Sequence, residues 1–160
     1  MSGTTKIPLV SEPRIAVQYA TPRTGVPAAP SLRRWAEAAL AEHPGDITLR
    51  VVGLDEGIAL NKRYRGRDGA TNVLSFPVAP LPDGTRQILG DLVLCAPVIA
   101  REAREQGKPA PAHWAHMVVH GCLHLCGHDH EQHAEAAAME DEERRILATL
   151  GYPDPYREHM

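Results

Sequence analysis

The most constraining feature of this sequence is a cluster of histidines. Seven of the nine histidines lie between His113 and His133, in a stretch that otherwise has the apolar composition of a buried helix. His120 and His124 are four residues apart, which on a helix means about 40° of rotation and about 6 Å of rise. Both imidazoles therefore leave the same face. Gly127 is well placed to end this helix in a left-handed turn. The chain can then fold back and bring His130 next to the pair.

This spacing favours a metal site. Three neutral imidazoles that leave one coordination position open are typical of catalytic zinc, because a structural site fills all four positions with protein ligands. We predict one zinc ion (Zn2+) per chain, held by His120, His124 and His130. His116 could replace His130, but His116 and His124 are about 12 Å apart along the helix axis. That span suits bonds of about 2.0–2.1 Å to a single ion poorly. For any one histidine alone, packing or surface exposure would be the simpler interpretation.

The pattern H-x-x-x-H-x-x-G-x-x-H also occurs in the metzincin proteases. Those enzymes carry Glu directly after the first histidine, where it acts as the general base. The corresponding residue here is Gly121. A peptidase without its base is a poor catalyst, so other chemistry is favoured. A zincin-type metallopeptidase remains an alternative hypothesis.

The composition is that of an ordinary globular domain. The chain has 160 residues, of which 43% are hydrophobic and 23% charged, enough for one domain with a substantial core. No apolar run approaches the roughly 20 residues of a membrane span. The N-terminal residues lack the pattern of a secretory signal. We therefore expect a cytoplasmic protein with no membrane partner.

The three cysteines are Cys95, Cys122 and Cys126. The last two lie on the presumed metal helix, rotated about 200° from the histidine face. We expect them to face the core, where cysteine behaves as a small apolar residue. A disulfide framework is not expected without an export signal. Cysteine ligation of the metal is the lesser alternative.

The net charge of −3 averages over two unlike segments. Four cations, Lys62, Arg63, Arg65 and Arg67, lie within six residues, whereas residues 140–143 form an acidic run. A local basic patch can bind phosphate even when the total charge is negative. Nucleic-acid binding is therefore compatible with the composition.

Periodicity predicts four strands interleaved with five helices. The strands are expected at residues 14–19, 47–52, 72–76 and 88–96. The helices are expected at residues 31–42 with Ser31 as N-cap, and at 55–64, 97–106, 112–125 and 133–150. Residues 1–13 lack periodicity and are predicted to be disordered, and residues 14–160 to form a single domain. This order favours an α+β fold in which a mixed four-stranded sheet has helices on both faces. Glu143 falls on the apolar stripe of the last helix, where a buried carboxylate needs a partner that the sequence does not identify.

Three sequence blocks occur together with the histidine motif and a closing segment. They are NKRYRGRD at residues 61–68, TNVLSFP at 71–77, LGD at 89–91, HGCLHLCGHDH at 120–130, and GYPDPY at 151–156. In these blocks the chain closely resembles the YbeY family of bacterial endoribonucleases. That family acts in ribosomal RNA maturation, at the 3′ end of the small-subunit RNA, and in ribosome quality control.

The resemblance implies a zincin-like α+β fold, one zinc held by three histidines, and cleavage of single-stranded RNA by a catalytic domain at residues 14–160. It implies ribosomal RNA and the ribosome or ribosome-assembly proteins as partners. The metal histidines of the family fall on His120, His124 and His130, and its essential arginine on Arg65. The family usually has Tyr where this chain has His128, so a titratable group is added beside the metal set.

The implied chemistry suggests roles for further residues. A guanidinium complements the charge that builds up on a phosphate, so Arg65 is the candidate clamp. Neighbouring cations would attract the RNA backbone, and Ser75, on a strand beside the metal, is a candidate substrate contact. The candidates near the third ligand are Asp129, which could orient a ligand imidazole, and His128 or Glu131, which could transfer protons. A non-catalytic RNA-binding module of ribosome assembly, with structural zinc, is the third hypothesis.

Overall fold

The fold is built on one mixed sheet, seen in a computed structural model of the chain. The structure describes residues 14–43, 45–78, 88–127 and 133–157, with the backbone alone at 133 and 134. The strands in these ranges are β1 (Ile15–Ala20), β2 (Asp46–Val52), β3 (Val73–Pro77) and β4 (Ile88–Cys95). The helices are α1 (Ala29–Ala39), α2 (Leu54–Arg65), α3 (Ala96–Glu105), α4 (Ala110–Leu125) and α5 (His133–Thr149). The predicted disorder of residues 1–13 concerns positions outside the described ranges.

The strand order is β1-β2-β4-β3. β1, β2 and β4 are parallel, and β3 runs antiparallel to β4. Among the described strands β3 therefore lies at one edge of the sheet. The predicted mixed four-stranded sheet is confirmed.

Helices cover both faces of this sheet. Side chains of a strand alternate between its faces, so the neighbours Leu92 and Val93 of β4 belong to two different apolar clusters. The larger cluster joins the sheet to α1, α4 and α5, with Trp114 of α4 almost fully buried. The smaller cluster lies on the opposite face and includes Leu60 of α2. The predicted arrangement of helices is thus confirmed. No helix in the described ranges is long and apolar enough to cross a membrane.

The start of α1 differs from the prediction. The N-cap residue is Ala28, which makes no side-chain capping bond, and Pro30 lies in the first turn. Ser31 as N-cap is therefore wrong. Proline suits the first turn because its missing N–H would have had no partner within the helix, so the helix begins before the serine.

Candidate metal centre and phosphate-binding surface

The exposure pattern of α4 singles out two histidines. Eleven of the residues from His113 to Leu125 are buried. The remaining two, His120 and His124, are partly exposed. Their ring centroids are 5.1 Å apart. The predicted pairing of the two imidazoles on one helix face is confirmed, and after the first turn of α4 these two histidines are the helix residues that reach solvent.

Gly121 allows α4 to approach the sheet closely. A Cβ atom at this position would lie 2.7 Å from Leu92 Cδ2 and 3.2 Å from Val73 Cγ2, which is tighter than normal packing. Position 121 therefore faces β3 and β4 rather than solvent. A glutamate here would have to enter the sheet, so the missing peptidase base has a packing explanation.

Gly127 follows the end of α4 with φ of 94°, and its N–H donates to the carbonyl of His124 at 3.0 Å. A positive φ is cheap only for glycine, so the predicted left-handed exit from the helix is confirmed. The predicted third ligand, His130, lies beyond this turn and outside the described residues. The same is true of His128, Asp129 and Glu131.

Glu143 of α5, whose partner the sequence did not identify, lies behind His120. Its side chain is fully buried, and Oε1 is 2.7 Å from His120 Nδ1 and 3.2 Å from His116 Nε2. The hydroxyl of Tyr156 donates to Oε2 at 2.6 Å. The sequence identified none of the three partners of this carboxylate, His116, His120 and Tyr156. The available signal was the position of Glu143 on an apolar stripe.

The ionisation of this cluster follows from burial and hydrogen bonding. Burial alone would raise the pKa of Glu143, but hydrogen bonds from His116, His120 and Tyr156 outweigh it and lower the pKa to about 2. Burial, together with the bond to Glu143, raises the pKa of the Tyr156 phenol. Glu143 is therefore a carboxylate and Tyr156 a neutral donor.

The donor set is suited to a metal. Among the described residues, His116, His120 and Glu143 bring three ligand-type atoms within 4.8 Å of one another, and such a cluster could hold a metal ion. The ring of His124 adjoins that of His120. Imidazole nitrogens together with a carboxylate are ordinary ligands of divalent transition metals. The chemistry of these side chains therefore fits a metal centre.

The cysteines contribute no obvious ligand. All three are free thiols, with Cys122 fully buried and Cys126 partly buried. Burial raises the pKa of the Cys126 thiol to about 11 and that of Cys122 well above its usual value. Thiols of this kind stay protonated, whereas a metal binds the thiolate. This agrees with the expectation of core cysteines.

The basic cluster lies at the end of α2. Residues 62–69 are all exposed, and Arg65 is the last residue of the helix. Buried Asn61 donates to the carbonyl of Gly69 at 3.0 Å, which ties the following loop to the helix. Among the described residues, the arginines that form ion pairs with carboxylates are Arg50, Arg101, Arg144 and Arg145. The cations of the basic cluster are therefore directed toward solvent rather than neutralised in the described part of the chain.

The edge strand β3 lies between this basic cluster and α4. The Ser75 hydroxyl is 3.5 Å from the carbonyl of Gly121, the residue after His120. On the other face of the strand, the rings of Phe76 and Tyr64 meet edge to face with centroids 5.2 Å apart. Arg65 lines a polar cleft that also includes Val73 of β3. The strand thus brings the end of α2 and the exposed histidines to one edge of the sheet.

Comparisons with known proteins agree with these features. The sequence model of the family described as Endoribonuclease YbeY matches residues 27–151. A Halorhodospira halophila protein named Endoribonuclease YbeY is 56% identical over 154 residues, covering 93% of this chain and 99% of the relative. A Stenotrophomonas maltophilia protein of the same name is 57% identical over 149 residues, covering 89% and 92%.

A solved structure shares the fold. The solution structure of TM1509 from Thermotoga maritima has a TM-score of 0.55 and 22% identity, and the match covers 90% of this chain and 99% of that one. The family match extends over most of the sequence, and the relatives are identical at more than half of the aligned positions. This chain therefore belongs to the YbeY family.

Proposed function

We propose that this protein is a zinc-dependent endoribonuclease that cleaves single-stranded RNA. The names of its relatives support RNA as the substrate class. The observation that carries the proposal is the exposure of His120 and His124 in the otherwise buried centre of α4. Two adjacent imidazoles at a solvent-facing position can supply two ligands of a metal centre, and His130 is the proposed third ligand.

The zinc ion would supply Lewis acidity toward a phosphoryl oxygen. The side chains of the protein do the rest. Arg65 donates two hydrogen bonds to phosphate oxygens and stabilises the negative charge that develops during cleavage. Asp129 is proposed to orient a ligand imidazole and His128 to transfer a proton.

Substrate binding is proposed to rest on the RNA backbone. Lys62, Arg63 and Arg67 attract the phosphates of the RNA. Ser75 contacts the RNA that binds along β3. Aromatic residues make up only 4% of the sequence, so extensive base stacking is not expected. Binding should therefore weaken as salt concentration rises.

The proposed physiological substrate is ribosomal RNA. The motif blocks that resemble the YbeY family support a role in maturing the 3′ end of the small-subunit RNA and in ribosome quality control. The ribosome or its assembly proteins are the proposed partners, and the cytoplasm is the proposed location. Peptide cleavage is disfavoured because position 121 faces the sheet.

The test is an RNA cleavage assay with Arg65→Ala and Arg104→Ala as matched variants. Arg104 is likewise an exposed arginine in the last turn of a helix, α3. We expect Arg65→Ala to cleave single-stranded RNA about 10²–10³-fold more slowly, as when one transition-state donor is lost. Its zinc content and melting temperature should be nearly unchanged. Arg104→Ala should cleave at the wild-type rate.

Other outcomes would separate the hypotheses. Wild-type cleavage by Arg65→Ala would contradict the role of the arginine, and full activity after chelation would contradict metal dependence. RNA binding without cleavage by zinc-loaded protein would favour the non-catalytic assembly module. Cleavage of a peptide library would favour the metallopeptidase.

A further inference from the structure

The carboxylate of Glu143 is the meeting point of three side chains from separate parts of the chain. His120 and His116 belong to α4, and Tyr156 lies after α5. A carboxylate can only accept hydrogen bonds, so both ring nitrogens and the phenol have to donate. The direction of each of these three bonds is therefore determined.

These directions select one form of His120. When Nδ1 carries the proton that it donates to Glu143, the lone pair of the neutral ring is on Nε2. We propose that Glu143 is a positioning residue, which holds His120 in the tautomer and ring orientation needed to bind metal through Nε2. Tyr156 and His116 in turn hold Glu143. This proposal rests on the proposed metal centre at His120 and His124.

The exposure of the two partners agrees with this role. The side chain of His120 is 25% exposed and that of Glu143 is 0% exposed. The carboxylate is thus behind the ring, on its protein side, while the ring reaches the solvent-facing edge of α4. A partner placed behind a ligand imidazole in this way fixes its tautomer and raises its basicity.

Tyr156 reaches Glu143 because the segment after α5 is anchored to that helix. Arg144 of α5 donates to the carboxylate of Asp154 at 3.1 Å. Asp154 in turn accepts the backbone N–H of Tyr156 at 2.8 Å. Lys108, in the connection between α3 and α4, donates to the carbonyl of Pro155 at 2.8 Å. The C-terminal segment is therefore held so that its phenol closes the buried side of the cluster.

The alternative is that His116, His120 and Glu143 are themselves the ligands. Two ligand atoms on one tetrahedral zinc, with bonds of about 2.1 Å, lie roughly 3.4 Å apart. The 2.7 Å between His120 Nδ1 and Glu143 Oε1 is instead a hydrogen-bond distance. His116 is only 7% exposed, and its Nε2 lies 3.3 Å from the Tyr156 hydroxyl. The geometry favours an outer network over a ligand set.

The first experiment reads the tautomer directly in metal-free protein. Long-range proton–nitrogen NMR of the imidazoles, with His120 assigned from a His120→Ala variant, should show the proton on Nδ1. In Glu143→Leu, which removes the acceptor, the form protonated on Nε2 should become populated. A wild-type His120 protonated on Nε2 would overturn the proposal, even if every variant failed to fold.

The second experiment measures zinc affinity by competition with a chelator. Glu143→Leu should bind zinc about 10–100-fold more weakly, the range typical for loss of an outer partner. Tyr156→Phe should show a smaller loss in the same direction. The matched control is Glu102→Leu, because Glu102 also bonds a histidine of α4, His113, at 2.9 Å. This control should keep wild-type zinc affinity.

The outcomes are distinguishable. Equal losses of affinity in Glu143→Leu and Glu102→Leu would mean a general effect on stability and would overturn the proposal. Loss of zinc in His116→Gln as complete as in His124→Ala would show the alternative ligand set, with the same consequence. Failure of the proposed function looks different, since His120 would keep its tautomer in metal-free protein that bound no zinc or cut no RNA.

Discussion

Two histidines of α4 each pair with a glutamate of another helix, and the two pairs differ in which partner is buried. At the start of α4, the side chain of His113 is 3% exposed and that of Glu102 is 23% exposed. Seven residues later the order is reversed, with His120 at 25% and Glu143 at 0%. Both pairs are held by hydrogen bonds of similar length, 2.9 Å and 2.7 Å. Distance therefore does not separate them, but exposure does.

The reversed exposure indicates a different role for each pair. Glu102 also accepts from Asn72, just before β3, so the first pair joins α3, α4 and the approach to the edge strand around a buried ring. In the second pair the carboxylate is the buried anchor and the imidazole is presented outward. A ring that binds a metal needs an open side, whereas a ring that joins elements does not. The first pair is accordingly structural and the second suits a functional site.

The largest expected difference comes from removing each ring. His120→Ala should lower zinc affinity by more than the roughly 100-fold that marks the upper range for an outer partner. RNA cleavage should be lost with it. His113→Ala should keep one zinc per chain but lose about 2–3 kcal/mol of unfolding free energy, because it leaves a cavity in the core. Metal analysis and denaturant unfolding measure the two effects, and loss of zinc in His113→Ala would abolish the distinction.

The close packing of α4 against the sheet beside His120 can be tested at Gly121. Gly121→Ala should cost about 1–3 kcal/mol of stability, since the added Cβ overpacks against Leu92 and Val73. It should also slow RNA cleavage, because relief of the clash moves α4 away from β3. Gly127→Ala is the control for stability, where the cost of about 1–2 kcal/mol comes from positive φ and no atom of the described residues lies within 4 Å of the new Cβ. Wild-type stability of Gly121→Ala would mean that the helix does not depend on this close approach.

A smaller effect is expected from the phenol that supports Glu143. Tyr156→Phe removes one of three donors to the carboxylate and should cost about 1 kcal/mol, measured by denaturant unfolding of metal-free protein. Tyr64→Phe is the matched control, because Tyr64 is 54% exposed and keeps its ring contact with Phe76. Equal stability of the two variants would show that the phenol contributes nothing to the second pair.

The smallest expected effect is a pH dependence of the first pair. Burial lowers the pKa of His113 from its usual 6.5, against the opposing effect of the hydrogen bond that His113 donates to Glu102. The unfolded chain therefore binds this proton at a higher pH than the folded protein does. Stability should rise with pH through the interval that ends near 6.5. His113→Gln should flatten this part of the curve relative to wild type, and an unchanged slope would assign the dependence to other groups.

Much of the fold could be predicted because its signals are local. The predicted ends of β2 and α4 lie within two residues of the observed ends, because periodicity and flanking prolines act over short distances. The start of α1 was missed because a serine competed with a proline one residue earlier for the same role. The placement of His120 and His124 on one helix face followed from their spacing alone.

The partners of the carboxylate behind that pair could not be predicted from local sequence patterns. A stripe of apolar residues placed Glu143 in the core, but its partners are 23 residues away at His120 and 27 away at His116. Which side chains meet across helices depends on how α4 and α5 pack, and no local pattern encodes that packing.

The contrast between local patterns, which the sequence shows, and long-range packing, which it does not, also applies to the rest of the fold. Residue spacing was sufficient to place two imidazoles on one helix face and to predict a mixed sheet with helices on both sides, because both depend on repeats of a few residues. The outward direction of His120, the inward direction of His113 and the position of β3 between α2 and α4 arise from long-range packing. Burial and hydrogen-bond partners are properties of the assembled core, so they appear only when distant segments come together.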